Sequence, residues 1–78
     1  MRVKVNGVRN IDITGEHIRL DALLKYASVA STGGVAKMLI QNGEVFVGGT
    51  PCRLRGKKIR PGDVVRYSGD TLLVRQAD

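Results

Sequence analysis

The sequence predicts an α+β fold: two short helices in a helix-turn-helix-like pair, packed on a small, mainly antiparallel β-sheet, with an N-terminal strand or hairpin. Three observations carry this prediction. Apolar residues recur at helical spacing twice, at Leu20, Leu23, Leu24 and Ala27 and again at Val35, Ala36, Leu39 and Ile40. Short apolar strand patterns follow, Val45-Phe46-Val47 and Val64-Val65, bounded by turn residues. The chain has 78 residues, which is one domain. A domain of that size buries only about 60% of its unfolded surface, so its core is thin and a deep substrate pocket is not expected.

Residues 2–13 alternate as Arg2-Val3-Lys4-Val5, then Asn6-Gly7, then Val8, Ile11 and Ile13. Asn-Gly between apolar alternations is a strong hairpin signal, because both turn positions need a positive φ. The segment reads as a hairpin or as a single strand. From 19 to 27 the period becomes helical, with Asp21 and Lys25 four apart on the polar side in the favourable order. A break follows at Ser28 to Gly34. The second helix is expected over Gly33 to Gln41, capped by Thr32 and stopped by Asn42-Gly43, with the glycine supplying the left-handed residue. Beyond it, Glu44–Val47 is a strand, Gly48-Gly49-Thr50-Pro51 a turn, and 52–60 a polar basic segment that is partly extended. Pro61-Gly62 turns the chain. Val64–Tyr67 and Thr71–Arg75 pair around Ser68-Gly69-Asp70, and Asp63 bonds the turn backbone after Pro61-Gly62.

The net charge is +6, and five cations crowd into one stretch: Arg53, Arg55, Lys57, Lys58 and Arg60. No Asp or Glu occurs from Val45 to Gly62. Such a run repels itself, and an external anion completes it. Nucleic acid is the expected anion ahead of a membrane surface, and no membrane partner is expected. No apolar run approaches the roughly 20 residues of a membrane span, and the N-terminus lacks the apolar region of a secretory signal, so a cytoplasmic protein is expected. Cys52 is the single cysteine and His17 the single histidine, neither with partners at ligand or nucleophile spacing. No catalytic residue, metal, cofactor or small-molecule substrate is expected. The aromatic residues are three, Tyr26, Phe46 and Tyr67. That is too few for base-stacking platforms, and folded RNA read by phosphate geometry and shape suits the chain better.

The order of motifs resembles the RNA-binding domain first described in ribosomal small-subunit protein S-four, the αL motif. Ile18-Arg19-Leu20-Asp21-Ala22-Leu23-Leu24 is similar to its opening "RLD..L", and Ala36-Lys37-Met38-Leu39-Ile40 to its second helix. Gly43 to Gly49 resembles the "G.V.VNG" strand and turn, and Lys58 to Val64 the "K...GD.V" close. The resemblance spans about residues 18–67, and the stretches Thr32–Lys37 and Arg53–Lys58 look most like small stand-alone bacterial members, some linked to ribosome assembly. Two departures stand out: Gly48 replaces the usual Asn, and Gly33-Gly34 stands where many members carry Ser-Arg. The second removes a basic side chain, so contacts there would come from backbone N–H groups. Members that modify pseudouridines or charge tRNA carry the domain as an appendage, so the resemblance implies binding and not catalysis.

The expected RNA-binding residues are Arg53, Arg55, Lys57, Lys58 and Arg60, with Arg55 and Lys57 or Lys58 central. Lys37, Thr32, Gly33, Ser31, Arg19 and Gln41 extend the surface. The start of the second helix offers unpaired N–H groups and a favourable dipole to an anion, although ordinary capping also explains it. Lys37 and Gln41 share one face, which solvation alone also explains. Arg19 either joins the surface or pairs with Asp21 or Glu16, and Arg2, Lys4 and Arg9 are possible extensions. The resemblance implies structured RNA as partner: ribosomal RNA first, tRNA as a variant, within a ribosomal subunit or assembly intermediate. A protein-interaction or ubiquitin-like carrier module is the alternative, since Lys58-Ile59-Arg60-Pro61-Gly62-Asp63-Val64-Val65 also resembles small sulfur carriers. Those end in Gly-Gly, whereas this chain ends Gln76-Ala77-Asp78. A helix-turn-helix DNA reader is disfavoured, because the second helix leaves only a narrow polar face for base edges.

Overall fold

In the computed structural model, which describes residues 7–77, the chain runs β1 (Val8–Ile13), β2 (Ile18–Arg19), α1 (Leu20–Tyr26), α2 (Gly33–Gln41), β3 (Val45–Val47), β4 (Thr50–Pro51), β5 (Lys58–Ile59), β6 (Val64–Tyr67) and β7 (Asp70–Gln76). Five strands form one sheet in the order β1-β7-β6-β3-β4, and β2 pairs with β5 in a separate two-stranded ribbon. Among the described residues only β1 and β7 run parallel; the other pairs are antiparallel. The α+β architecture predicted from the sequence is the one observed.

The apolar stripes place the core. Leu20, Leu23 and Leu24 of α1 and Ala36 and Ile40 of α2 have no exposed surface. They meet one face of the sheet through Ile11, Ile13, Val45, Val65, Leu72 and Val74, which recur at every second residue along their strands. Ala27, the last residue of the first stripe, caps the C-terminus of α1 and is buried. Val35 and Leu39 are half-buried against the same cluster.

Local capping shapes α2 as expected. The Thr32 hydroxyl accepts the Val35 N–H at 3.2 Å. At the other end the Gly43 N–H donates to the Ile40 carbonyl at 3.0 Å and the Glu44 N–H to Leu39 at 3.2 Å, the paired bonds of a Schellman motif. Gly43 sits at φ 76, which favours glycine there. Two hairpins, β3–β4 and β6–β7, turn through residue pairs with positive φ, Gly48-Gly49 and Ser68-Gly69. Pro51 lies on the edge strand β4, where it withholds a donor that would otherwise template a foreign strand.

One expectation is corrected and two are narrowed. The N-terminal half of the hairpin expected around Asn6-Gly7 lies outside the described residues; within them, β1 pairs in parallel with β7, in register from Val8↔Thr71 to Ile13↔Gln76. The buried Ile11 and Ile13 bring β1 onto the sheet, and Asp12 pairs with Arg75 across it at 2.9 Å. The 52–60 segment is strand only at Lys58–Ile59, because buried Ile59 pairs with Ile18 while the rest turns at Arg55-Gly56. Among the described residues the ion pairs are Arg19–Asp21 and Arg75–Asp12. Asp21 therefore turns back to Arg19 rather than along the helix to Lys25.

Candidate nucleic-acid interface

Helix α1 begins without a side-chain cap, since its N-cap residue is Arg19. Its first amide donors find partners elsewhere. The Leu20 N–H donates to the Lys57 carbonyl at 2.8 Å and the Asp21 N–H to the Arg55 carbonyl at 3.0 Å. The basic segment thus caps the helix with its own backbone. A turn within it, closed by the Lys57 N–H on the Leu54 carbonyl at 3.0 Å, and buried Ile59 fix its path. The backbone faces inward and the side chains of Arg53, Arg55, Lys57, Lys58 and Arg60 are all exposed. Arg60 is held at the far end by its N–H, which donates back across Pro61-Gly62 to Asp63 Oδ2 at 2.8 Å, so Asp63 bonds the turn backbone as expected.

At the α1 end of this cationic strip stands the Asp21 carboxylate. Arg19 grips Asp21 with two bonds, Nε to Oδ1 and Nη2 to Oδ2, each 3.1 Å. The Ala22 N–H adds a third at 2.8 Å. Burial opposes ionisation of Asp21, but the bonds from Arg19 and Ala22 and the charges of Arg19 and Arg55 outweigh it, so its carboxyl sits below the ordinary range. Arg19 therefore enters the site as half of an ion pair, with its guanidinium beside Gly56.

The remaining candidates divide by position. Arg53 lays its guanidinium over Gly43, at the negative end of α2: a Cβ on that glycine would lie 2.6 Å from Arg53 Nη2. Gln41, in the last turn, is exposed on the same end of the helix. Ser31, Thr32 and Gly33 occupy the opposite end, roughly 12 Å away along an axis rising about 1.5 Å per residue. All three are exposed. The Thr32 hydroxyl is spent on its own helix, which leaves the amides of Gly33 and Gly34 as the outward donors, and the space beside Gly33 is open. Lys37 lies between the two ends on the exposed side of α2, next to Met38.

Several features escaped the sequence reasoning. Arg9 donates from Nη2 to the Ala27 carbonyl at 2.7 Å, so it caps the C-terminus of α1 instead of widening the basic surface. Arg2 and Lys4 lie outside the described residues. Leu54, in the middle of the cations, is 70% exposed. The helix start without a capping residue was the one available sign that another segment must dock on α1.

The S4 domain family matches residues 11–75. The chain belongs to this family. The match is wider than the span of about 18–67 carried by the motifs, and it takes in part of β1 and nearly all of β7. Among curated proteins, the probable ribosome maturation protein RlbA of Bacillus subtilis is 42% identical over 59 residues, covering 76% of this chain and 83% of that protein. The small ribosomal subunit protein uS4 of Novosphingobium aromaticivorans is 36% identical over 47 residues, and that of Hyphomonas neptunium 35% over 65. These cover 60% and 83% of this chain, which spans only 23% and 31% of the two uS4 proteins. In this S4 domain the Gly48 departure is conformationally neutral, because φ 59 suits Gly and Asn alike.

Proposed function

We propose that this S4 domain is a non-enzymatic RNA-binding module that holds structured RNA, namely ribosomal RNA during ribosome maturation in the cytoplasm. A ribosomal subunit or an assembly intermediate is the partner this reading implies, with tRNA as a variant. The supporting observation is the basic segment itself: five exposed cations on a backbone pinned to the N-terminus of α1, with no carboxylate in the sequence from 45 to 62. A fixed backbone presents charge to phosphates with less ordering cost than a free loop. The names of the similar proteins, one for ribosome maturation and two for the small subunit, favour ribosomal RNA over other structured RNA. Mechanistically, the cations capture the phosphate backbone and the rigid surface then selects by shape, so sequence specificity is modest.

The test is a salt titration of binding to a structured ribosomal RNA and to a DNA duplex of matched length. Five phosphate contacts give a slope of log K against log salt of roughly −3.5 to −4.5. The variant R55E/K57E/K58E/R60E changes only exposed side chains and keeps the carbonyls that cap α1. It should fold and lose binding. Equal affinity for DNA would reduce the strip to a non-specific basic surface, and no binding to either would remove the reading.

A further inference from the structure

We infer that the cleft between edge strand β4 and the basic segment receives one unpaired nucleobase of the bound RNA, with Leu54 as its apolar wall. This rests on the RNA-binding reading above and names the feature of the RNA that the surface selects. The sequence from Arg53 to Arg60 holds two apolar residues. Ile59 is buried in the core, but Leu54 stands 70% exposed among the cations. A lone exposed leucine needs no explanation. Here it closes one side of a cleft of about 370 Å³, lined also by Val47, Thr50, Pro51, Cys52, Arg53 and Lys57. That volume lies at the low end of about 300–1,000 Å³ for small-molecule sites, which suits one planar group.

The chemistry of the walls matches a base attached to a phosphate. Val47, Pro51, Cys52 and Leu54 offer apolar contact to the ring faces. The Thr50 hydroxyl can donate to or accept from a base edge. Arg53 and Lys57 stand at the cleft for the flanking phosphates, and no carboxylate lines it. The wall is also fixed beforehand: the Leu54 carbonyl accepts the Lys57 N–H, and the Lys57 carbonyl is bound to α1. Arg53 is steadied over Gly43. Sequence-selective RNA contacts concentrate on unstacked bases in loops and bulges, and apolar side chains serve as wedges at such steps. Taking a base from an intact stem costs unstacking, whereas a bulged base is already free. The surface should therefore prefer an interrupted helix to a continuous one.

The experiment uses the full chain and two RNA hairpins of equal length, one fully paired in its stem and one with a single unpaired nucleotide. Burying part of Leu54 against a base corresponds to about a fivefold preference for the bulged hairpin. Leu54→Ala should lose that preference, while the control Val8→Ala, an exposed residue on the far edge strand, should keep it. Cys52 is the single cysteine and lines the cleft, so its alkylation rate by N-ethylmaleimide reports occupancy. The bulged hairpin should slow alkylation more than the paired one. Equal affinities of the parent for the two hairpins, or equal Cys52 rates in the two complexes, overturn the inference while leaving RNA binding in place. Failure to bind either hairpin removes the RNA reading itself, and this inference with it.

Discussion

Replacing Gly43 with alanine probes the end of α2 and the seating of Arg53 in one step. Gly43 has φ 76, and its N–H closes one of the two bonds that end the helix. An L side chain in this left-handed conformation costs roughly 1–2 kcal/mol. The added Cβ would also lie 2.6 Å from Arg53 Nη2 and 3.1 Å from Cζ, too close for non-bonded atoms. That clash is with the end of a flexible side chain, so the guanidinium swings away at little further cost. The backbone term dominates, and for a domain of this size it lowers Tm by roughly 4–16 °C. Gly33 is the matched control. Its φ is not positive and the space around it is open, so alanine there gains helix propensity and stabilises by ~0.4–1 kcal/mol. Thermal unfolding followed by circular dichroism checks the pair. The same substitution should move Tm down at 43 and up at 33; an unchanged Tm for Gly43→Ala, or a fall for Gly33→Ala, would refute the reasoning. If Arg53 contacts phosphate from its seat over Gly43, Gly43→Ala should also flatten the salt slope by about 0.7–0.9.

Other perturbations have equally definite outcomes. Leu24→Ala empties a fully buried position under the helix pair and should cost about 2–5 kcal/mol, enough to leave the domain largely unfolded on heating to mesophilic temperatures, as denaturant midpoints would show. Asp21→Asn removes the Arg19 pair, and with an exposed partner the loss is about 0.2–1 kcal/mol at neutral pH. Because the folded Asp21 carboxyl lies below its ordinary range, its contribution is present above the unfolded pKa and fades as pH falls through the folded one; the parent and Asp21→Asn should therefore begin to converge in stability only as pH falls below about 4. The same variant removes the carboxylate beside the basic strip, and RNA affinity at low salt should rise about two- to threefold. Arg9→Ala leaves the Ala27 carbonyl without its 2.7 Å donor and should cost about 0.5–1.5 kcal/mol, with RNA binding unchanged, which separates it from the cations of the strip.

What the sequence determined by itself is what depends on near neighbours. The Leu20-Leu23-Leu24-Ala27 stripe, the bounds of α2 from Thr32 to Gly43, the Ser68-Gly69 hairpin and the Asp63 turn are each specified within a few residues. Helix period, capping and turn conformation act over that range, and all appear in the structure. The exposure of the five cations was legible for the same reason, since unneutralised charge does not enter a thin core. Tertiary structure alone decided which segment each orphan group would meet. It gave β1 to β7 in parallel, 63 residues apart at Asp12–Arg75, and took the start of α1 to the carbonyls of Arg55 and Lys57. It drew Arg9 to the end of α1, and left Leu54 over a cleft while Ile59 went inside. Such contacts join residues that carry no mutual signal in order or spacing. They form because buried N–H and C=O groups must find partners and apolar strands must find a sheet, and the chain meets those demands only when it closes on itself.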